Sequence, residues 1–277
     1  MRLTPHRVGP RHTVAMASGP LSDEDLQRFM TDGFVRIERA FSPTDARLGR
    51  ERIWTQVRRQ HPGFDPEVRR TWPAPVVRVE ASAAAPFRRA VSGRRLTGAF
   101  DQLVGEGRWA PPTFLGPFVI RFPSRNDPSD AIWHVDASYT RGEGDWRLDI
   151  SSRRRALLMF FLFSDVGRSD APTRLRVGSH LDVPPVLVDR GLDGVHFTEV
   201  VPRLVDLEDR PVKLVTGHAG DVYLCHPFLV HTADRHRGRR PRVLATPVLM
   251  PRSRMRIAPS SRHVAPIEQA VKVALGR

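Results

Sequence analysis

The stretch Leu-Leu-Met-Phe-Phe-Leu-Phe at residues 157–163 is a nearly continuous apolar run, and it decides the predicted architecture. A strand that is hydrophobic on both faces is typical of the centre of a covered sheet. Shorter strand patterns, separated by turn residues, surround it at 118–122, 132–137, 212–215, 222–225, 228–231 and 243–249. Strands that follow a helical half favour an antiparallel double-sheet barrel with helices packed outside it. The predicted fold is therefore mainly β with flanking helices, around a double-stranded β-helix (jelly-roll or cupin-like) core.

Helical patterns come before these strands. Ser22 is a predicted N-cap with Asp25 three residues later, and Ser42-Pro43 opens a second helix because Pro is favoured in the first turn. Residues 83–104 predict further helix, interrupted near Gly93. The predicted organisation is a disordered lead-in over 1–20 and a single domain over 21–277, with a helical layer at 21–110, a jelly-roll core at 114–250 and a C-terminal helix at 265–275.

Charge and cysteine content narrow the classes of partner. The chain of 277 residues has a net charge of +14, and its arginines occur in short scattered clusters rather than in a long basic tail. We therefore expect a basic surface or pocket that attracts acidic substrates, and nucleic-acid binding is the less favoured alternative.

Cys225 is the only cysteine, which excludes intrachain disulfides and favours a reducing cytoplasm. No apolar run is long enough to span a bilayer. Met1 and Met16 both remain open as the natural start.

Trp133-His134-Val135-Asp136 is the motif that predicts chemistry. On a strand, the His and Asp side chains of a His-x-Asp motif point to the same face, because strand residues alternate sides. A second histidine from a distant strand would complete a set of two histidines and one carboxylate. That set leaves three coordination positions of Fe(II) open. The alternative is a coincidental His-x-Asp in a chain with 11 histidines.

The third ligand is ambiguous from chemistry alone, because His226, His231 and His236 repeat every five residues. His231 is favoured, since it begins a polar turn after the apolar residues 228–230, as a ligand at a barrel mouth should. His226 is then expected to be a packing histidine, and His236 a loop residue.

Arg242 lies on the strand that leaves this turn. A guanidinium offers two-pronged hydrogen bonding to a carboxylate. An inward-facing Arg242 would hold the far carboxylate of a co-substrate such as 2-oxoglutarate. The alternative is a surface arginine, because four more arginines lie between residues 235 and 240.

Four ordered segments together resemble the phytanoyl-CoA dioxygenase family of Fe(II)/2-oxoglutarate oxygenases. They are the helix–strand entry at 21–35, the motif at 133–136, a strand, turn and Gly-Ser-His loop at 162–180, and a distal segment at 220–242. The resemblance spans roughly residues 21–250. The family places its co-substrate arginine about eleven residues after the distal histidine, and this spacing selects His231 and Arg242.

The resemblance implies the site and its cofactors. His134, Asp136 and His231 would bind Fe(II), Arg242 would hold 2-oxoglutarate, O₂ would be the oxidant, and Thr173 would be an additional co-substrate contact. A turn residue without that contact is an equally good interpretation of Thr173. Related halogenases replace the metal-binding carboxylate by a small residue, so an intact Asp136 favours hydroxylation or desaturation.

The predicted function is a dioxygenase of the 2-oxoglutarate-dependent class that oxidises a small molecule, with secondary metabolism as one setting. A nucleic-acid-directed oxygenase and a non-catalytic ligand-binding relative are the alternatives. Substrate selectivity is expected in the loops 124–131, 139–155 and 181–201. Trp146 and the arginines at 141, 147 and 153–155 line a substrate pocket in one interpretation and form a solvated face in the other. Substrate identity, including whether it is a CoA ester, and oligomeric state stay open.

Overall fold

A seven-stranded antiparallel sheet is the centre of the computed structural model, which describes residues 19–262 and 264–277. The predicted lead-in at 1–20 therefore lies outside the described residues except for Gly19 and Pro20, and the division into domains stays a prediction. The strands are β1 Phe34–Ile37, β2 Val76–Val79, β3 Phe118–Arg121, β4 Tyr139–Thr140, β5 Trp146–Leu148, β6 Leu157–Leu162, β7 Arg174–Arg176, β8 Val195–His196, β9 Val212–Leu214, β10 Val222–Cys225, β11 His231–Thr232, β12 Arg242–Ala245 and β13 Val248–Leu249. The α-helices are α1 Asp23–Asp32, α2 Pro43–Gln60, α3 Ala85–Val91, α4 Arg94–Val104, α5 Val183–Leu187 and α6 Pro266–Ala274.

The large sheet has the order β1-β10-β6-β12-β3-β2, and β13 pairs with the end of β6. All six residues of β6 are buried, as the apolar run predicts for a central strand. Two three-stranded sheets, β11-β7-β9 and β4-β5-β8, complete the β structure. The flanking helices and antiparallel sheets confirm the predicted double-stranded β-helix architecture.

The helix starts follow the local sequence signals. Ser22 forms a capping box with Asp25, and the Ser42 hydroxyl accepts a hydrogen bond from the Asp45 amide at the start of α2. Phe163 packs edge-on against Phe87 of α3 and Phe118 of β3, which fastens the helical layer to the sheet. Among the described residues, no helix combines the length and hydrophobicity needed to cross a bilayer.

The predicted strand at 132–137 is wrong. Only His134 in this segment pairs, through a single antiparallel bridge to His231. The ladder stops after this bridge because Leu229, the next residue on the His231 side that could bond to the segment, donates its amide to the His226 carbonyl in a turn. For the same reason the predicted strand at 228–231 shortens to β11.

The loop predicted between residues 181 and 201 also contains more structure than its sequence indicated. It folds into α5, the two-residue strand β8 and 3-10 turns at Val188–Asp193, Phe197–Glu199 and Val201–Arg203. The prolines in this segment hid the helical signal, because Pro at the first turn starts a helix whereas Pro elsewhere ends one.

Gly33 makes the tight turn that carries the chain from α1 into β1. It adopts a left-handed conformation with φ +88°, and a Cβ there would lie 2.5 Å from His180 Nδ1 and 2.8 Å from Leu229 Cδ1. We expect Gly33→Ala to lower the free energy of unfolding by about 2–4 kcal/mol, from left-handed strain plus overpacking. Urea denaturation measures this change. Gly63→Ala is the matched control, because Gly63 has φ +85° and nothing near its Cβ position. Equal decreases in the free energy of unfolding of the two variants would show that the close contact with His180 does not contribute to the destabilisation.

Candidate metal centre

His134, Asp136 and His231 lie together at one end of the β structure, and their ligand atoms are all within 4.8 Å of one another. Asp136 Oδ1 is 3.6 Å from His134 Nε2 and 3.8 Å from His231 Nε2. The single backbone bridge between His134 and His231 brings the two ends of the site together, with both amide–carbonyl distances at 3.0 Å. No other such cluster of three occurs in the part of the chain that the structure describes.

Both imidazoles are oriented for metal binding by their own backbone. His134 Nδ1 is 2.8 Å from the Ile132 carbonyl oxygen, and His231 Nδ1 is 3.0 Å from that of Leu229. A carbonyl only accepts, so each Nδ1 must carry the proton and each Nε2 presents its lone pair to the centre of the cluster. A hydrogen bond on the non-ligating nitrogen is the usual support of a metal-binding histidine.

The charges of the three groups suit a divalent cation. Burial, and secondarily the neighbouring His134, lower the pKa of His231 to about 4, so this imidazole is neutral at pH 7. Burial alone would lower the pKa of His134, but the adjacent Asp136 carboxylate, the Ile132 carbonyl and Asp130 together outweigh burial and the pKa is raised. Burial would likewise raise the pKa of Asp136, yet Arg155 and the imidazoles hold it well below its usual range. One carboxylate and two imidazoles are the donor set of a mononuclear Fe(II) site, and the orientation of both Nε2 atoms fits it.

Three arginines brace the segment that carries His134 and Asp136. Arg174 and Arg176 of β7 both stack on the Trp133 ring, with guanidinium carbons 5.1 and 4.5 Å from its centre. Arg155 holds the other side, since its Nη1 lies 3.0 Å from Asp136 Oδ2. These side chains replace the strand pairing that the segment lacks.

Arg242 is buried and lines the same cavity as the triad, which has a volume of about 270 Å³. Its Nη1 donates to the Ala171 carbonyl at 2.6 Å, and its buried Nε has no hydrogen-bond partner in the described structure. Burial first, and then the charge of neighbouring Arg121, lower the pKa of Arg242 to about 9, so it stays charged at neutral pH. A buried cation that forms no ion pair with any described acidic side chain is suited to a carboxylate ligand.

Thr173 lines this cavity too, and it is buried. Sequence reasoning missed other residues of its wall. Arg121 pairs across the strands with Arg242 and binds Asp130 at 2.7 Å, while Phe160 packs edge-on against the His231 ring at 5.7 Å. Because β6 is apolar on both faces, its sequence shows no alternation that could have indicated that Phe160 faces His231.

The remaining histidines near the site have other uses. His226 Nδ1 accepts from the Phe228 amide and its Nε2 lies 3.0 Å from the Ile267 carbonyl, so both nitrogens are occupied. His180 Nε2 bonds to the Met30 carbonyl at 3.0 Å. His236 is buried in the loop after β11 and pairs with Asp170 through an isolated bridge. His226 and His180 therefore pack and fasten loops.

The arginines considered for a substrate pocket divide into two groups. Arg141 binds Asp193, Arg147 donates to the Asp193 carbonyl at 3.0 Å, and Arg153 lies 4.1 Å over the Tyr139 ring. They brace the loop around Asp193 against β4 and β5 and do not line the cavity. Trp146 is 51% exposed. Of the residues 141, 147 and 153–155, it is Arg155 that reaches the candidate site.

A larger cleft of about 550 Å³ lies between α2 and the turns before β12. Its charged lining is three arginines and three carboxylates: Arg50, Arg239, Arg240, Glu67, Asp165 and Asp170. These charges balance, and the described residues place no metal-binding cluster there. The volume of a cleft alone therefore does not identify the candidate active site.

Solved structures with this fold share little sequence with the chain. The non-heme alpha ketoglutarate dependent carbocyclase SnoK from nogalamycin biosynthesis superposes with a TM-score of 0.61 at 18% identity, over 90% of this chain and 89% of that one. EctD from S. alaskensis with bound Fe gives 0.57 at 18% identity, over 86% and 80%. HygX from Streptomyces hygroscopicus with nickel, 2-oxoglutarate and hygromycin B bound gives 0.54 at 18% identity, over 88% and 96%.

These likenesses establish the fold over most of the chain. No family model matches the sequence, and no curated protein matches it either.

Proposed function

We propose that this chain is an Fe(II)- and 2-oxoglutarate-dependent dioxygenase that hydroxylates or desaturates a small molecule. One observation carries the proposal: His134, Asp136 and His231 share a cavity with the buried Arg242, which forms no ion pair with any described carboxylate. The triad would hold the metal, and Arg242 would bind the distal carboxylate of 2-oxoglutarate, with Thr173 as a further contact.

This geometry indicates which roles the metal and the residues of the chain would each have. Fe(II), when bound with 2-oxoglutarate and O₂, supplies the oxidising power that breaks a substrate C–H bond, while 2-oxoglutarate leaves as succinate and CO₂. The chain's own residues orient the reactants. The Ile132 and Leu229 carbonyls hold the imidazoles, Arg242 would fix one end of the co-substrate, and Leu158, Phe160 and Leu244 supply apolar surface to the cavity wall.

The structural neighbours support a small-molecule substrate. They include a carbocyclase and an epimerase from nogalamycin biosynthesis and HygX with hygromycin B bound. We extend that setting, secondary metabolism, to this chain as a proposal. Its single cysteine, Cys225, is free and buried, which fits the proposed reducing cytoplasm.

The net charge of +14 supports a second candidate, an oxygenase that acts on nucleic acid. Against it, many arginines are committed to ion pairs within the chain, among them those of residues 89, 108, 155 and 210. Steeply salt-dependent binding to single- or double-stranded DNA in a mobility-shift assay would favour this candidate.

We expect the anaerobically reconstituted wild-type protein, given Fe(II), 2-oxoglutarate and O₂, to release succinate. Because the metal and co-substrate residues are complete, slow release is expected even without substrate, and a metabolite screen should find compounds that accelerate it. His218→Ala should behave as wild type, because the His218 side chain is 84% exposed and outside the triad. Succinate at the level of the metal-free protein, under every condition, would contradict the proposal.

A further inference from the structure

The two carboxylate oxygens of Asp136 face different partners. Oδ1 is turned to the imidazole nitrogens of His134 and His231, at 3.6 and 3.8 Å. Oδ2 lies 3.0 Å from Arg155 Nη1. A metal ion between the three ligands would therefore meet one oxygen of Asp136, while the guanidinium holds the other.

Arg155 is itself rigidly held. Its Nη2 donates to the Ala137 carbonyl at 3.1 Å, so one guanidinium spans the side chain of Asp136 and the backbone of the next residue. Its backbone is fixed by a turn, in which the Arg155 amide donates to the Ser152 carbonyl and Ser152 Oγ donates to the Arg155 carbonyl at 2.8 Å. The side chain is mostly buried, at 13% exposure. The arginine therefore approaches Asp136 from a stable position at the entrance to β6.

We propose that Arg155 is a positioning residue that makes Asp136 a one-oxygen ligand of the metal. A carboxylate can bind a metal through one oxygen or through both. Binding through one keeps three positions open, two for the 2-oxo acid and one for O₂. A second oxygen would fill one of them. Arg155 blocks that mode because its two-pronged contact fixes both the rotation of the carboxylate and the backbone behind it.

This inference rests on the proposed metal centre, and it differs from simple charge compensation. If Arg155 only offset the negative charge of Asp136, its removal would change the affinity for a cation but not the number of ligand atoms. If it positions the carboxylate, its removal changes the coordination of the metal as well.

Cobalt(II) is the probe for the test, because its visible spectrum reports coordination number without turnover. We expect Arg155→Met to bind Co(II) about 10–100-fold more weakly than wild type, the usual cost of losing a residue that orients a ligand. We also expect an altered Co(II) spectrum and weaker 2-oxoglutarate binding to the cobalt form. Arg155→Lys keeps the charge but does not reproduce the planar contact to both Asp136 Oδ2 and the Ala137 carbonyl, so its Co(II) affinity and spectrum should resemble those of Arg155→Met.

Arg154→Met is the matched control, because Arg154 is the exposed neighbour in the same arginine run. It should leave affinity and spectrum unchanged. An Arg155→Met protein with the wild-type affinity and spectrum would overturn the inference, as would a weaker affinity with an unchanged spectrum. Should Arg155→Met fail to fold, Arg155→Gln takes its place, with the same two overturning outcomes.

The test separates this inference from the proposed function. A wild-type protein that binds no Co(II), or whose binding survives His231→Ala, would remove the metal centre itself. A wild-type protein that binds Co(II) through His231, together with an unaffected Arg155→Met, would remove only the role of Arg155.

Discussion

Replacing His231 by Ala is expected to reduce succinate formation to the level of the metal-free protein. In the proposed metal centre the side chain supplies one of three donor atoms, and its Nε2 is the atom that faces Asp136. The two remaining candidate ligands, His134 and Asp136, would not hold a divalent cation in a fixed geometry. We expect the loss in metal affinity to exceed the roughly 100-fold that follows from removing a residue that merely supports a ligand.

The same result is expected for His134→Ala and Asp136→Ala, measured as Co(II) affinity by calorimetry and as succinate release with Fe(II). His218→Ala is the control, because that histidine is exposed and lies outside the cluster. Thermal denaturation of the metal-free proteins checks that each variant is folded. Full turnover in any one folded variant would remove that residue from the ligand set.

Replacing Arg242 by Met is expected to raise the KM for 2-oxoglutarate about a hundredfold. Two charge-assisted hydrogen bonds to a carboxylate contribute about 3 kcal/mol together, which is about a hundredfold in affinity. Met keeps much of the length and volume of Arg, so the wall of the cavity is retained. Metal affinity should stay at the wild-type value, because Arg242 contributes no ligand atom to the cluster.

The split between KM and kcat is the informative measurement for Arg242. A contact to the far end of the co-substrate binds the ground state and the transition state alike, so kcat at saturating 2-oxoglutarate should change far less than KM. Arg240→Met, at an exposed arginine two residues earlier, should leave both constants unchanged. An unchanged KM in folded Arg242→Met would exclude the proposed co-substrate role.

A comparison with Arg121 refines this prediction. Arg121 lies opposite Arg242 in the sheet, but its guanidinium already binds Asp130 at 2.7 Å. We therefore expect Arg121→Met to raise the KM for 2-oxoglutarate less than Arg242→Met does. Arg242, which forms no ion pair with any described acidic side chain, is therefore the arginine expected to bind the carboxylate of 2-oxoglutarate.

Much of the fold and the candidate ligands of this protein could be predicted from residues that lie close together in the sequence. The apolar run of β6, the Ser22 and Ser42 caps and the His-x-Asp motif each act within a few residues. Such local signals predicted the double-stranded β-helix, the helical layer and the candidate ligands, because hydrophobic alternation and capping depend on backbone geometry alone.

Only the tertiary structure decided how the site is held. The segment 132–137 has strand-like residues, yet the turn at His226–Leu229 uses the backbone groups that a strand would need. Nothing near Arg155 in the sequence indicates that, among three consecutive arginines, this one reaches an aspartate 19 positions earlier. The pairing of Arg121 with Arg242 depends in the same way on the register between β3 and β12. Strand register and turn geometry depend on the packing of the whole sheet. The local sequence therefore determined which side chains were candidates for metal and co-substrate binding. The fold determined which of those side chains lie close together.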